Sequence, residues 1–217
     1  MNLSVIPQIF YDIIARAIPG GLILFFGYIA YQGPINAKHS FLEINTPYLF
    51  SFHSIVMYAL VSYFIGFTMS AIWSISLGKV LRTKISKIEK NCIGECITNF
   101  NTLKVIKGEP AISITTNDFP PVFVLHDNIR LKSETEACRL LKIQGERRAC
   151  EVLALSFILI STINIYYLVI YFSDNQVDRI FLQLFLFVSI FVLLQRSLIY
   201  LKFYVTGLCN MWLFYNF

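Results

Sequence analysis

Four long apolar stretches constrain this chain more than any other feature. A bilayer core of about 30 Å is crossed by roughly 17–25 helical residues, and the uncharged runs approach or reach that length. They lie at about Ala17–Gln32, Ser54–Leu77, Val152–Phe172 and Ile180–Leu194. The chain is 56% hydrophobic and only 14% charged, with a mean hydropathy of +0.63, which excludes an ordinary soluble domain. The sequence therefore predicts an all-α membrane protein with four transmembrane helices.

The first and fourth apolar runs are short and need their flanks to span. The first is interrupted at Pro19, Gly20 and Gly21, a combination that kinks a helix or starts a new one. We predict an interfacial helix before this point that turns into the membrane there. The fourth run extends towards Tyr200 if Arg196 snorkels to the headgroups.

Positive charge is concentrated in the middle of the chain. Of the 18 Lys and Arg residues, 13 lie between Gly78 and Glu151. Cytoplasmic loops carry an excess of Lys and Arg, so this segment is predicted to be cytoplasmic, and with four spans both termini are cytoplasmic too. The predicted location is the bacterial inner membrane, with multi-pass topology and the loops around 33–53 and 173–179 facing outwards.

These features divide the sequence into four parts. Residues 1–77 are predicted to hold an interfacial helix and transmembrane helices 1 and 2, and residues 78–151 a basic cytoplasmic domain. Residues 152–200 are predicted to form transmembrane helices 3 and 4. Residues 201–217 are rich in aromatic side chains and are predicted to lie at the inner membrane surface or to pack on the bundle.

The cytoplasmic domain is predicted to be mostly helical. Lys79–Phe100 has helical periodicity and continues the second span as a stalk. Asn101–Asp127 combines prolines with short β-branched runs, which favours a loop with a short strand pair. Ser133 followed by Glu136 is a capping-box pattern, so a helix should begin there and run through Arg148 into the third span. An effect of binding to this domain could therefore be transmitted to the transmembrane helices.

The apolar cores contain no ionisable residue, which argues against an ion-coupled pump. Their polar side chains are mostly small or hydroxylated, and such residues usually serve close helix packing, with pore lining as the alternative. They are Ser62, Thr68, Ser70, Ser74, Ser76, Ser156, Ser161, Thr162, Asn164, Gln183 and Ser189.

No pattern in the sequence supports catalysis, a cofactor or a metal. The phosphate-loop, dinucleotide, zinc-protease and hydrolase motifs do not occur. Cys92 and Cys96 would share a helical face, yet no second pair stands at metal-site spacing, and His126 is alone in the predicted loop. We therefore predict a non-enzymatic protein with no catalytic residues, no cofactor and no metal, and with reduced cysteines.

Two groups of residues remain as candidate contact sites. Asp12 and Arg16 stand four residues apart and could pair, either as an interfacial anchor or as a switch; Pro19 and Gly20 read as a packing kink or a gating hinge. The second group is basic and suits anionic lipid headgroups or a soluble protein partner, with direct nucleic-acid binding disfavoured. Its members are Lys79, Arg82, Lys84, Lys87, Lys90, Arg147 and Arg148.

The stretch Phe10–Gly20, together with the charged helix Glu146–Glu151 that enters the third span, resembles small four-pass membrane proteins of bacterial anti-phage defence systems. The membrane subunit of the Kiwa system, KwaA, has a similar span plan, as do membrane accessories of CRISPR and nucleotide-signalling systems. The resemblance implies a homo-oligomeric inner-membrane sensor that recruits a soluble cytoplasmic partner, KwaB-like if the Kiwa system is the right one. It carries over no site residues.

Two other functions are compatible with the same sequence. One is a pore-forming or membrane-depolarising effector gated by the cytoplasmic domain. The other is a small channel or transporter, against which the absence of ionisable residues in the apolar cores argues. Depolarisation by the chain alone would separate an effector from a sensor.

Overall fold

The chain is helical throughout the part that the structure describes. This computed structural model describes residues 5–32, 52–170 and 176–217, and within them it contains six α-helices and no strand. The helices are α1 (Val5–Gln32), α2 (Phe52–Ile75), α3 (Leu77–Ile106), α4 (Val122–Lys132), α5 (Glu134–Ile170) and α6 (Gln176–Asn216). The all-α prediction is confirmed for these residues, and the predicted outward loops lie mostly outside them.

Three of the described helices are long and apolar enough to cross a membrane: α2 from Ser54 to Ile75, α5 and α6. At 1.5 Å per residue α5 and α6 are about 55 and 60 Å long, roughly twice a bilayer core. The second, third and fourth predicted runs thus fall on membrane-length helices. The apolar stretch of α1, Ala15–Tyr31, is shorter than the length required of a membrane-crossing helix. The crossing predicted for the first apolar run, and with it the four-pass plan, therefore stays a prediction.

No new helix starts at Pro19, so of the two predicted outcomes a new helix is excluded, whereas a kink and an interfacial segment before it stay predictions. Helix α1 continues through Pro19, which lies inside it and is buried. Proline removes one hydrogen bond to the residue four positions earlier, but the helix is maintained on both sides of the gap.

The second apolar helix does not continue unbroken into the stalk. It ends at Ile75, and α3 begins at Leu77 after a turn at Ser76, whose N–H donates to the Ile72 carbonyl at 2.9 Å. The stalk helix itself is present and longer than predicted, because Gly94 does not end it and it reaches Ile106.

The strand pair predicted within Asn101–Asp127 is also wrong. The segment between α3 and α4 has no strand, and α4 was not anticipated. The Asn101 amide accepts the Ile112 N–H at 2.8 Å and donates to the Ile112 carbonyl at 3.1 Å, which occupies backbone groups that a strand ladder would need. Pro120 and Pro121 cannot donate to a ladder, and Pro121 instead precedes the first turn of α4.

Ser133 ends one helix and begins the next. Its N–H donates to the Ile129 carbonyl at 2.7 Å at the end of α4. Its hydroxyl accepts the Glu136 N–H at 3.5 Å at the start of α5, a long contact in the predicted capping position. Helix α5 then runs without a break into the third apolar run, as predicted.

The chain divides into two compact units. The basic unit comprises Met1–Tyr11, Leu77–Arg147 and Leu198–Phe217, and the apolar unit comprises Asp12–Ser76 and Arg148–Ser197. Helices α5 and α6 contribute residues to both units. Residues 201–216 are helical and continue α6, and their predicted position at a membrane surface stays a prediction.

The basic unit has a hydrophobic core of its own. Side chains of α3, α4, α5 and α6 pack together in this core. Phe119 also belongs to it, and the centroid of its ring lies 4.5 Å from the centroid of the Trp212 ring. Leu125, Leu140 and Leu208 are fully buried at its centre. Burial of a leucine stabilises by about 1.5–3 kcal/mol, so this unit has the core expected of a folded domain.

The apolar unit packs differently. Its core cluster of Ala30, Phe157, Ile160 and Leu186 joins α1, α5 and α6. Only 11% of the apolar window of α2 is buried within the chain, whereas 39% of that of α5 is. A helix that exposes apolar side chains on nearly all sides needs lipid or another membrane helix around it.

Candidate functional site

Five of the seven basic residues predicted as a contact surface lie on α3. Lys79, Arg82, Lys84, Lys87 and Lys90 are all exposed, whereas Ile85, Ile88 and Cys92 on the same helix pack into the core of the basic unit. This separation of charged and apolar faces is that of an amphipathic helix. The structure makes the cations available to lipid or to a partner, and the choice between them stays a prediction.

The other two predicted contact residues lie in different surroundings. Arg148 is exposed, but Arg147 is half-buried and lines a cavity of about 680 Å³ within the basic unit. Small-molecule sites have volumes of about 300–1,000 Å³, so this cavity is of the right size for a ligand. It was not predicted from the sequence.

The cavity is formed by four helices and the proline-rich segment before α4. Its apolar side, which we call the apolar wall, consists of Ile93, Phe119, Val122, Leu141, Leu201 and Tyr204. Its polar side consists of Ser86, Glu89, Lys90, Thr116, His126, Asp127, Gln144 and Arg147, and Pro120 and Pro121 complete the lining. An apolar pocket with a few convergent polar groups is the usual form of a small-molecule site.

The proline-rich segment is held by local hydrogen bonds. Beyond the Asn101 clamp, Asp118 accepts both the N–H and the hydroxyl of Thr115, at 2.9 and 2.7 Å. These two bonds lower the pKa of the Asp118 carboxyl because they stabilise its charged form. The turn therefore places Phe119 against α6 through its contact with Trp212.

Glu89 and Arg147 are half-buried charges of the cavity. Burial raises the pKa of Glu89, and the nearby Arg147 guanidinium opposes that change without cancelling it. The carboxyl is therefore easier to protonate than an exposed glutamate, whereas a guanidinium stays charged. The cavity therefore brings one carboxyl and one guanidinium close enough to influence each other.

His126 lines the same cavity and has one nitrogen without a hydrogen-bond partner in the described part of the chain. Its Nδ1 lies 3.8 Å from an Asp127 carboxylate oxygen, and the Asp127 side chain is itself 75% exposed. Its Nε2 is buried and has no hydrogen-bond partner among the residues that the structure describes. Buried polar atoms of this kind are rare in folded proteins and call for an explanation, of which a missing ligand is one.

Two cysteines of α3 and one of α6 lie in the core of the basic unit. Cys92, Cys96 and Cys209 are buried there, and Cys96 Sγ contacts the Thr206 carbonyl at 3.9 Å. Burial raises the pKa of Cys92, whereas a hydrogen bond from Cys209 lowers the pKa of Cys96. No group of three metal-ligating side chains suited to a metal ion occurs in the described ranges, so these thiols read as core packing.

The predicted packing kink or gating hinge, Pro19 and Gly20, lies at a close packing contact of the apolar unit. Pro19 and Gly20 are buried, and a Cβ atom on Gly20 would overlap the backbone carbonyl of Ser62 on α2. A Cβ on Gly66 would likewise overlap the carbonyl of Arg16. Glycines at such positions let two helix backbones approach closely, as at many membrane helix interfaces.

Arg16 is held by aromatic side chains of α2. Its guanidinium donates to the Tyr63 hydroxyl at 3.1 Å and lies 4.8 Å from the centre of the Phe67 ring. Stacking on aromatic rings stabilises a guanidinium where little water is present. The side chain of Asp12 lies outside the described residues, so the Asp12–Arg16 pair stays a prediction.

A polar network joins the helices of the apolar unit. The Asn164 amide donates to the Arg179 carbonyl at 2.9 Å and to Gln183 Oε1 at 3.1 Å, and Gln183 in turn donates to Ser161. Arg179 is buried and donates to the Ala30 carbonyl at 2.9 Å. These contacts support the packing interpretation of the polar residues in the apolar runs.

Fold and composition together define a helical protein that carries membrane-length helices and a compact basic unit. No protein-family model matches the sequence, and no curated protein and no solved structure matches it.

Proposed function

We propose that this protein is a non-enzymatic membrane sensor whose basic unit lies in the cytoplasm, binds a signal there and passes it to the membrane helices. The observation that supports the proposal is that the cavity takes lining residues from α5 and α6, the two helices that each extend about 55–60 Å. A change at Arg147 or Tyr204 acts on the same helices that carry the third and fourth apolar runs.

The sensor belongs, in this proposal, to an antiviral defence system of the bacterial inner membrane. Support for that setting comes from the resemblance of the Phe10–Gly20 and Glu146–Glu151 segments and from the four-pass plan. The exposed cations of α3 would recruit a soluble, KwaB-like partner or contact anionic lipid. Homo-oligomerisation would cover the apolar surface of α2, of which 11% is buried within one chain.

Phage plating on cells that carry the gene and its native neighbours, compared with cells that lack only this gene, tests the proposal. Loss of protection on deletion, restored by the gene in trans, is the expected result. Equal plating in both strains would contradict a role in defence.

Membrane potential separates the sensor from a pore-forming effector. A sensor that needs a partner should leave the potential unchanged when this chain is expressed alone, because the described apolar helices offer packing contacts rather than a charged conduction path. Rapid depolarisation by the chain alone would contradict the sensor and favour the effector.

A further inference from the structure

The cavity of the basic unit has the chemical features of a site for one kind of ligand. Two of its cations differ in depth: Lys90 is exposed and Arg147 is half-buried. Of its two acids, Asp127 lies in solvent beside His126, and only Glu89 shares the interior with Arg147. The fixed charge in the interior is therefore the guanidinium.

A guanidinium binds carboxylate or phosphate through paired hydrogen bonds, which are among the strongest polar contacts in proteins. His126 Nε2 can donate to the same anion when it carries a proton, and this would satisfy an atom that otherwise lacks a partner in the described chain. The polar side of the cavity thus suits an anionic group.

The apolar wall suits the rest of the ligand. Phe119 is 8% exposed and Tyr204 is 5% exposed, so both rings are packed in the core of the basic unit. A flat ring placed against such a wall gains from apolar burial and from aromatic contact, which is worth about 0.5–1.5 kcal/mol beyond its area.

We propose that this cavity binds a small organic anion with an aromatic body, whose anionic group contacts Arg147 and Lys90 and whose ring lies against the apolar wall. Only the role of this ligand as the signal of the sensor rests on the proposed function. Binding itself requires no other subunit.

Glu89 gives the proposal a distinctive consequence. Its carboxylate competes with the ligand for Arg147 and repels an anion, so its removal should strengthen binding. Loss of Arg147 should weaken binding. A purely structural role for both residues would weaken binding in both cases.

The experiment uses the purified full chain in detergent and three probes: phenyl phosphate, inorganic phosphate and benzamide. Microscale thermophoresis should show saturable binding of phenyl phosphate, with the two partial probes each weaker by about tenfold, since each lacks one group of contacts. Arg147→Gln should lower the affinity for phenyl phosphate by about tenfold, and Glu89→Gln should raise that affinity by about a few-fold.

Two further variants keep the result interpretable. Lys142→Gln removes an exposed cation of α5 that does not line the cavity and should bind like the natural chain. Arg147→Lys keeps the charge without the paired donors and should fall between the natural chain and Arg147→Gln. Circular dichroism confirms that each variant is folded.

The proposal is overturned by absence of saturable phenyl phosphate binding, by equal affinity for benzamide, or by weakening in both Glu89→Gln and Arg147→Gln. Its failure is distinct from failure of the proposed function. Binding in vitro with normal phage protection by Arg147→Gln would reject the sensor role and leave the ligand site standing.

Discussion

At the scale of single residues, the sequence does not predict which distant positions contact each other. Pro19 and Gly20 were recognisable as a special position, but their partner could not be inferred, because Ser62 and Gly66 lie more than forty residues away. The same holds for His126, which stands alone in the sequence and lines a cavity only because α3, α5 and α6 close around it.

Gly20→Ala should destabilise the apolar unit by about 1–3 kcal/mol, the usual cost of overpacking, because its Cβ would overlap a backbone carbonyl that cannot move aside. Gly27→Ala is the matched control, since in the described part of the chain no atom beyond its own helix backbone and its chain neighbours lies within 4 Å of its Cβ position. That variant should be neutral or stabilised by up to about 1 kcal/mol through helix propensity. Thermal unfolding in detergent measures both; equal midpoints would contradict the close α1–α2 contact.

Asn164→Ala should lower stability by roughly 0.5–1.5 kcal/mol, the range of hydrogen bonds between membrane helices. The substitution removes the two hydrogen bonds that the fully buried Asn164 amide donates, one to the Arg179 carbonyl and one to Gln183 Oε1. Thr162→Ala removes an exposed hydroxyl that bonds only within its own helix in the described contacts, and should have less effect. The opposite order in thermal unfolding would show that the network does not stabilise the unit.

Glu89 should make the stability of the basic unit depend on pH. Its pKa is raised in the folded state, so the folded chain holds more protons than the unfolded chain from the ordinary pKa of 4.5 up to the raised value. Stability contributed by this group is therefore present at lower pH and is lost as pH rises through that window. Arg147, Lys90, His126 and Asp127 also face the cavity, so the effect is read as a difference between the natural chain and Glu89→Gln.

Unfolding midpoints measured across that window should converge as pH falls and separate as pH rises, with Glu89→Gln the more stable of the two at higher pH. A constant difference at every pH would show that Glu89 does not titrate in the way its burial indicates.

At the scale of helices and loops, local signals were reliable and non-local ones were not. The Ser133 and Glu136 pattern gave the start of α5 because a cap depends on neighbours in sequence. The 107–121 segment was misread because its β-branched residues suggested strands, whereas the deciding contact is the clamp of Asn101 on Ile112. The same segment lines the cavity, and the sequence does not predict the cavity either.

Asn101→Ala should loosen the proline-rich segment. It removes two hydrogen bonds to Ile112, each worth about 0.5–1.5 kcal/mol net. Hydrogen exchange of residues 109–121 should become faster than in Asn99→Ala, which alters an exposed amide on the same helix. Unchanged exchange in Asn101→Ala would show that the Asn101–Ile112 hydrogen bonds do not hold the segment.

Continuity of α5 is the element on which signalling depends in the proposed function. Proline inside a helix costs about 3 kcal/mol and removes a backbone donor. Ala149→Pro places it between Arg147 and the apolar half of α5, and should abolish phage protection while membrane insertion persists. Ala149→Gly, a milder change at the same site, should retain most protection; equal protection by both would show that α5 does not carry the signal.

At the scale of the whole molecule, hydropathy and charge predicted the class of the chain because both act along the sequence rather than through packing. Membrane-length helices and a basic unit with its own core are present. Orientation is different, since it depends on which side of a bilayer the unit occupies, and it rests on the thirteen basic residues between Gly78 and Glu151.

The sensor account requires the basic unit to face the cytoplasm, and labelling of Lys107→Cys tests this directly. Residue 107 is exposed in the turn that follows α3. With the five native cysteines replaced by serine and insertion verified, a membrane-impermeant maleimide should label this cysteine in inverted vesicles and not in intact spheroplasts. Labelling in intact spheroplasts would place the basic unit outside the cell and contradict the account.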